Sequence, residues 1–198
     1  MAKTHSIAVL EGDGIGPEIM AEALAVLRVI GEQSGVKFEL HPAPFGGRAY
    51  FETGSAFPDE TKAVCDQCEA ILKGPIGLSF EESKKIPVDE QPERGALLPL
   101  RRRYNTYANF RPVYLPAELA HFSPLKARVV EGGIDLMMIR ELVGGLYFGE
   151  KEVGKRADGT RYVRESLDYD EHQIARILHV AFKEAMRRKR VVEVLRHD

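Results

Sequence analysis

The sequence predicts an α/β layered fold with parallel strand pairing, and three observations predict it. A short apolar run, Ser6-Ile7-Ala8-Val9-Leu10, ends in a glycine-rich turn and passes into a helical pattern. Two further short strands follow, each preceded by a helix. The resulting order of strand, helix, strand, helix, strand brings successive strands side by side in one direction. Between Pro17 and Glu32, apolar Met20, Ala23, Leu24, Leu27 and Ile30 recur at three- and four-residue steps, the mark of a helix with one buried face. Pro17 suits its first position. Val36-Lys37-Phe38-Glu39-Leu40 alternates as a strand should. A Pro- and Gly-rich loop leads to an amphipathic helix from Pro58 to Cys68, and then to Ala70-Ile71-Leu72, a short buried strand closed by Gly74-Pro75.

Gly77 to Glu93 has no convincing period and carries Ser79, Lys84, Lys85, Pro87 and Pro92, so it reads as a long loop. Ala96 to Arg103 reads as helix, Tyr107 to Val113 as extended chain, and Ile134 to Ile139 as a buried strand followed by a Gly144-Gly145 turn. Lys151 to Asp168 is charged, with Asp158-Gly159 at its centre, and predicts a hairpin that projects as an arm. Asp170 to Arg188 is helical, with Ile174, Ile177, Leu178, Ala181, Phe182 and Ala185 on one face. No internal repeat is evident.

The 198 residues are 44% hydrophobic, enough for one sizeable core or two small ones. Lys+Arg 28 against Asp+Glu 30 leaves a net charge of -2, which argues against a nucleic-acid partner held by bulk positive charge. A small anion remains compatible, because a local arginine cluster needs no net charge. Cys65 and Cys68 sit within a predicted amphipathic helix, and no second ligand pair stands at zinc-like spacing. Two buried or half-buried thiols fit a reducing compartment. With no long apolar stretch at the N-terminus, a soluble cytoplasmic protein without a membrane partner is expected.

Glu11-Gly12-Asp13-Gly14-Ile15-Gly16-Pro17-Glu18 lies between a strand and a helix, where glycines let backbone N–H groups approach a phosphate. A dinucleotide fingerprint needs its third glycine where Pro17 stands, so a tight structural turn ranks first. Three arginines are candidate carboxylate ligands: Arg101 near a helix end, Arg111 in an extended segment, and Arg140 at the end of an apolar strand. Together they would clamp a dicarboxylate through paired hydrogen bonds. On composition alone the blander reading leads, with Arg140 paired to Glu141 or another internal acid and Arg101 and Arg111 solvated; Arg102 and Arg103, beside Arg101, also read as solvated. Tyr147, in Gly144-Gly145-Leu146-Tyr147-Phe148-Gly149, either donates a proton through its phenol or packs.

These segments resemble the isocitrate/isopropylmalate dehydrogenase family of β-decarboxylating dehydrogenases, most of all its isopropylmalate branch. The resemblance is carried by Leu10 to Glu18, Pro44-Phe45-Gly46-Gly47, Gln91 to Arg101, Ala108-Asn109-Phe110-Arg111-Pro112 and Ile139 to Glu150, and it spans nearly the whole chain. It implies the family's layered fold with a parallel-rich sheet. It also implies oxidation of a dicarboxylate 2-hydroxy acid by NAD, then loss of a β-carboxylate with Mg2+ or Mn2+ as electron sink. Arg101, Arg111 and Arg140 match the family's carboxylate clamp, and Tyr147 its proton donor, which reverses the ranking above. Leu97 and Leu98 match the wall around the substrate's distal group, where two leucines suit an isopropyl group better than a carboxylate. Glu93, with Lys73 and Gly74, is expected on the cofactor side.

Lys73-Gly74-Pro75 is more similar to the isocitrate dehydrogenases, which keeps tartrate, isocitrate and homoisocitrate open as substrates. In the family a strand matching Val191 to Val194 runs into an Asp-Lys-Ala-Asn motif bearing a catalytic lysine. Here Leu195-Arg196-His197-Asp198 follows, so that lysine, the acidic metal ligands and the C-terminal part of the fold are expected to be missing. The domains expected are 1–100, half of a cofactor-side domain, and 101–198, part of a substrate and dimerisation domain with its arm at 151–168. The resemblance also implies a homodimer, or pairing with a full-length homologue as a non-catalytic partner. A relic that binds nothing is the remaining alternative.

Overall fold

A computed structural model describes residues 3–194 and divides into two compact units, Met1–Arg103 and Tyr104–Asp198. Leu195 to Asp198, where the family's lysine motif is expected, lie outside the described residues. Among the described residues no helix is long and apolar enough to cross a membrane.

The first unit contains strands β1 (Thr4–Leu10), β2 (Lys37–Pro42) and β3 (Ala70–Lys73), in the order β2-β1-β3 and all parallel. Helix α1 (Gly16–Ser34) connects β1 to β2, with Pro17 in its first turn and Gly35 in the left-handed conformation closing it. Its Met20, Leu24 and Leu27 pack on Ile7, Val9, Phe38 and Leu72. Burying each of the larger side chains contributes roughly 1.5–3 kcal/mol. Helices α2 (Gly47–Thr53) and α3 (Asp59–Gln67) lead back to β3, with Phe45 and Phe57 buried edge to face beneath them. Cys65 is buried and Cys68 half-buried, neither in a disulfide, and burial raises the Cys68 thiol above its ordinary value.

The segment expected as a long loop is built from short turns. Helix α4 (Phe80–Ser83) is closed by a capping box between Ser79 and Glu82, and a 3-10 turn spans Val88–Glu90. Buried Ile86 and the Gln91 amide, which donates to the carbonyls of Ser83 and Ile86, tie these turns together. Hydrophobic periodicity misses them because each is about one turn long. A π-helical stretch, Pro92–Leu97, then runs into α5 (Leu98–Arg103).

The second unit is antiparallel. Strands β4 (Ala108–Leu115) and β5 (Ile134–Glu141) pair along their whole length, with the short helix α6 (Ala127–Val130) between them in sequence. Strand β5 is not the buried strand expected: Leu136 and Met138 are exposed, because a two-stranded ribbon covers neither of its own faces. Strands β6 (Lys151–Lys155) and β7 (Arg161–Glu165) form the arm, turned at Asp158-Gly159, where Asp158 Oδ1 accepts the Thr160 amide.

Helix α7 (Glu171–Arg188) starts on a capping box between Asp170 and Gln173 and packs against β5. Arg176 pairs with Glu141 and Arg188 with Asp135. The rise from Arg176 to Arg188 is about 18 Å and the strand from Asp135 to Glu141 is about 20 Å long. The two pairs therefore pin helix and strand antiparallel at both ends. Of the predicted apolar stripe, Ile177, Leu178, Ala181 and Ala185 are half-buried, while Ile174 and Phe182 are exposed. Val191 to Val194 form no strand, and Val191 is almost wholly exposed. A strand needs a neighbour to take its backbone hydrogen bonds, and no described strand pairs with these residues.

Candidate functional site

In an antiparallel ladder, residues directly opposite share a face, as do residues two apart along one strand. Asn109 stands opposite Arg140, and Arg111 opposite Met138. Asn109, Arg111 and Arg140 therefore share one face of the β4–β5 ribbon, and Glu141 lies on the other. Arg111 donates through Nε to Asn109 Oδ1 at 2.8 Å. The Arg140 guanidinium lies 5.9 Å from the centre of the Tyr147 ring. Tyr147 is about half exposed, so it does not serve as a core residue.

The expectation that Arg140 pairs with Glu141 is overturned. Glu141 turns to α7, where its Oε1 accepts from Arg176 at 2.7 Å and its Oε2 accepts the amides of Val143 and Gly144, each at 2.7 Å. Arg176 also donates to Asn105 Oδ1 and lies 4.4 Å over the Tyr107 ring. The Glu141 side chain is 8% exposed and that of Arg176 14%, so the pair is largely withdrawn from water, and Arg176 Nε is buried with no hydrogen-bond partner among the described residues. Among the described residues neither Arg111 nor Arg140 has a carboxylate partner. Two guanidiniums and a phenol on one accessible face have the donors that a carboxylate accepts from.

The Gly144-Gly145 turn presents Tyr147 from the end of a 3-10 turn, Gly145–Tyr147. Gly145 adopts φ 71°, and a Cβ there would stand 2.3 Å from the Tyr169 hydroxyl, so only glycine fits.

In the first unit, Lys73 ends strand β3 at the C-terminal edge of the parallel sheet with Gly74 following it, and Arg101 belongs to α5. The Lys73 ammonium donates to the Gly74 carbonyl at 2.6 Å. Burial, and secondarily the Arg101 charge, hold the Lys73 pKa below the ordinary lysine value, with Asp13 opposing them. Gly74 is buried and its amide donates to the Leu10 carbonyl. Glu93 is exposed, and Leu97 and Leu98 are half-buried. Arg103 is not simply solvated: it makes a forked pair with Asp66 through Nε and Nη2.

The glycine-rich loop is a structural joint. Asp13 is 3% exposed and accepts three backbone amides, from Gly47, Arg48 and Gly77. The Asp13 amide donates to the Pro75 carbonyl and the Gly16 amide to the Asp13 carbonyl, so these N–H groups are already engaged and do not cradle a dinucleotide phosphate. Among the described residues no group of three or more His, Cys, Asp or Glu could hold a metal ion.

Sequence reasoning missed Asp13, Asn109 and Arg176. The two-residue spacing of Asn109 and Arg111 within a strand carried the signal for Asn109. Nothing local marked Arg176, whose partner lies 35 positions away.

A sequence model of the family described as isocitrate/isopropylmalate dehydrogenase matches residues 6–197. The chain is 40% identical to the 3-isopropylmalate dehydrogenase of Campylobacter jejuni, over 98% of this chain and 52% of that protein. It is 44% identical to that of Geobacter sulfurreducens, over 97% and 52%. The solved isocitrate dehydrogenase of Methylococcus capsulatus superposes with a TM-score of 0.71 at 26% identity, over 94% of this chain and 49% of that one. The chain spans about half the length of the relatives it matches.

Proposed function

Since the chain belongs to the isocitrate/isopropylmalate dehydrogenase family, we propose that it carries the carboxylate-binding and proton-donating residues of an NAD-dependent 3-isopropylmalate dehydrogenase. The observation that supports this reading is the shared face of Arg111 and Arg140 with Tyr147 beside them. In the proposed reaction the 2-hydroxyl of the acid is oxidised, the β-carboxylate leaves as carbon dioxide, and the Tyr147 phenol protonates the resulting enol carbon. Arg111 and Arg140 hold the carboxylates through that sequence. In the first unit, Arg101, Leu97 and Leu98 are proposed as contacts to the acid, and Glu93, Lys73 and Gly74 as residues on the cofactor side.

NAD serves as the hydride acceptor and Mg2+ or Mn2+ as the electron sink in this proposal. The described residues do not fit either group in full, since the Asp13 and Gly16 amides of the glycine-rich loop are engaged by the Pro75 and Asp13 carbonyls and no metal-binding cluster is present among the described residues. The 198-residue chain alone is therefore proposed to bind the acid without turning it over. Its projecting arm, with Val153 and Val163 exposed opposite each other, is the proposed surface for a homodimer or for pairing with a full-length homologue. Residence in the cytoplasm belongs to the same proposal. Lys73 beside Arg101 supports a second reading, in which the acid carries a further carboxylate, as isocitrate does.

Titration calorimetry of the chain with 3-isopropylmalate, tartrate and isocitrate tests these readings. Binding of 3-isopropylmalate, lost in Arg111→Gln and Arg140→Gln, is expected. A preference for isocitrate that disappears in Lys73→Met would establish the second reading instead. Binding indifferent to both arginine changes would overturn both. Stoichiometric NADH formation by the chain alone, with NAD and Mg2+, would refute the proposal that it is inactive by itself.

A further inference from the structure

The Arg140–Tyr147 pair is assembled from behind. Arg140 points to one face of β5 and Glu141, the next residue, to the other. Tyr147 returns over Arg140 only if the intervening chain turns sharply, and the turn is built at Val143 and Gly144. Both of their amides donate to one oxygen of Glu141. The other oxygen is taken by Arg176 from α7, which is itself held by Asn105 and stacked on Tyr107. Asn105 has φ 46°, a left-handed conformation, and so directs its amide toward α7 from a tight corner before β4. The turn is closed on its far side by Tyr169, whose ring stands where a side chain on Gly144 or Gly145 would go, and by the Asp168 carbonyl, which accepts the Gly145 amide.

We propose that Glu141, locked by Arg176, is the positioning residue of the Arg140–Tyr147 pair, setting the phenol against the guanidinium that binds the carboxylate. This rests on the functional reading above only for what the pair is used for; the positioning itself is a property of the chain without ligand. Glu141 and Arg176 touch no substrate. They act through the turn, by giving Val143 and Gly144 an acceptor that solvent would not hold in place.

The test is nuclear magnetic resonance of the full chain with 13C-labelled tyrosine, the Tyr147 ring signal being assigned from Tyr147→Phe. In the unmodified chain that signal is expected to be displaced from free tyrosine and to show contacts to the Arg140 side chain. In Glu141→Ala the signal should move to the free-tyrosine position and the contacts should vanish, while Arg176→Lys, which keeps a cation beside Glu141, should retain part of the displacement. Because removing one member of a buried pair can unfold the chain, Glu141→Leu combined with Arg176→Met provides a version that removes the acceptor for both amides and leaves no uncompensated charge. It should melt cooperatively and still lose the Tyr147 signature. Where the unmodified chain binds 3-isopropylmalate, affinity should fall by about tenfold in the same variants, the scale of one net hydrogen bond. A Tyr147 signal unchanged in the folded double variant overturns the positioning role. Failure of the unmodified chain to bind any dicarboxylate, with the Tyr147 signature still dependent on Glu141, overturns only the functional reading.

Discussion

Asp13 Oδ1 accepts the backbone amide of Arg48 at 2.7 Å, across 35 positions of sequence, while Oδ2 takes the amides of Gly47 and Gly77 at 2.9 and 3.0 Å. The carboxylate thus caps α2, which has no side-chain cap of its own, and ties it to the loop after β3. Asp13→Ala would strand three donors in a buried site, each worth about 1–3 kcal/mol when unsatisfied. A loss of at least about 3 kcal/mol of stability is expected, read as a lowered urea midpoint. A change near zero would show that the three bonds form no such joint.

The same loop separates two glycines by sterics. Both Gly12 and Gly14 have positive φ, at 77° and 56°. A Cβ on Gly12 would fall 1.9 Å from the Pro75 carbonyl oxygen, whereas one on Gly14 meets nothing within 4 Å. Gly14→Ala should therefore cost only the backbone penalty, about 1–2 kcal/mol. Gly12→Ala must also push two loops apart and should cost considerably more. Equal midpoints for the two variants in denaturant titrations would contradict this geometry.

Lys73 gives a pH dependence of definite sign. Burial and the Arg101 charge depress its folded pKa below the unfolded value, so between the two values the unfolded chain binds more protons. Stability contributed by this group therefore rises as pH increases through that window, which lies just below the ordinary lysine value, and its destabilising effect is fully present at neutral pH. Lys73→Met should raise the melting temperature at pH 7, and the advantage should shrink as pH approaches the ordinary lysine value. Melting curves across that range check the sign.

The arm carries the proposed association. Val153 and Val163 are 69% and 67% exposed, on a hairpin whose two strands pair only with each other among the described residues. Isolated two-stranded ribbons are marginal in water, and unpaired edges invite a partner. Val163→Lys should convert a dimer to a monomer in sedimentation velocity without lowering the melting temperature of the rest of the chain. An unchanged sedimentation coefficient would remove the arm from the interface.

Where signals were local, the fold was legible in the residues. Alternation and three-to-four spacing located β1, α1, β2, α3 and β3, and Asp158-Gly159 marked the arm. The Ser79–Glu82 box was present in the sequence but closes a helix of only four residues, too short for periodicity to register. Strand β5 read as buried because Ile134 to Ile139 is nearly continuous in apolar residues, yet among the described residues it pairs with β4 alone in a ribbon that covers neither of its own faces.

For the candidate site, residue type singled out Arg101 near a helix end, Arg111 in an extended segment, Arg140 at a strand end and Tyr147 in a glycine-rich stretch. Family resemblance, not spacing, ranked them above surface charges. Composition left open whether Arg140 was neutralised by Glu141; alternation along β5 separates the two onto opposite faces, and Arg176 takes the carboxylate.

By itself the sequence determined the order of the elements, their faces and the inventory of charged groups, because periodicity and turn chemistry act over a few residues. Only the tertiary structure decided which charges are spoken for. Asp13 is consumed by amides from two distant loops, and Glu141 by a helix 35 residues on, leaving Arg111 and Arg140 facing outward. A carboxylate's partner is set by distance in space and by desolvation, and neither is written in the separation of residues along the chain.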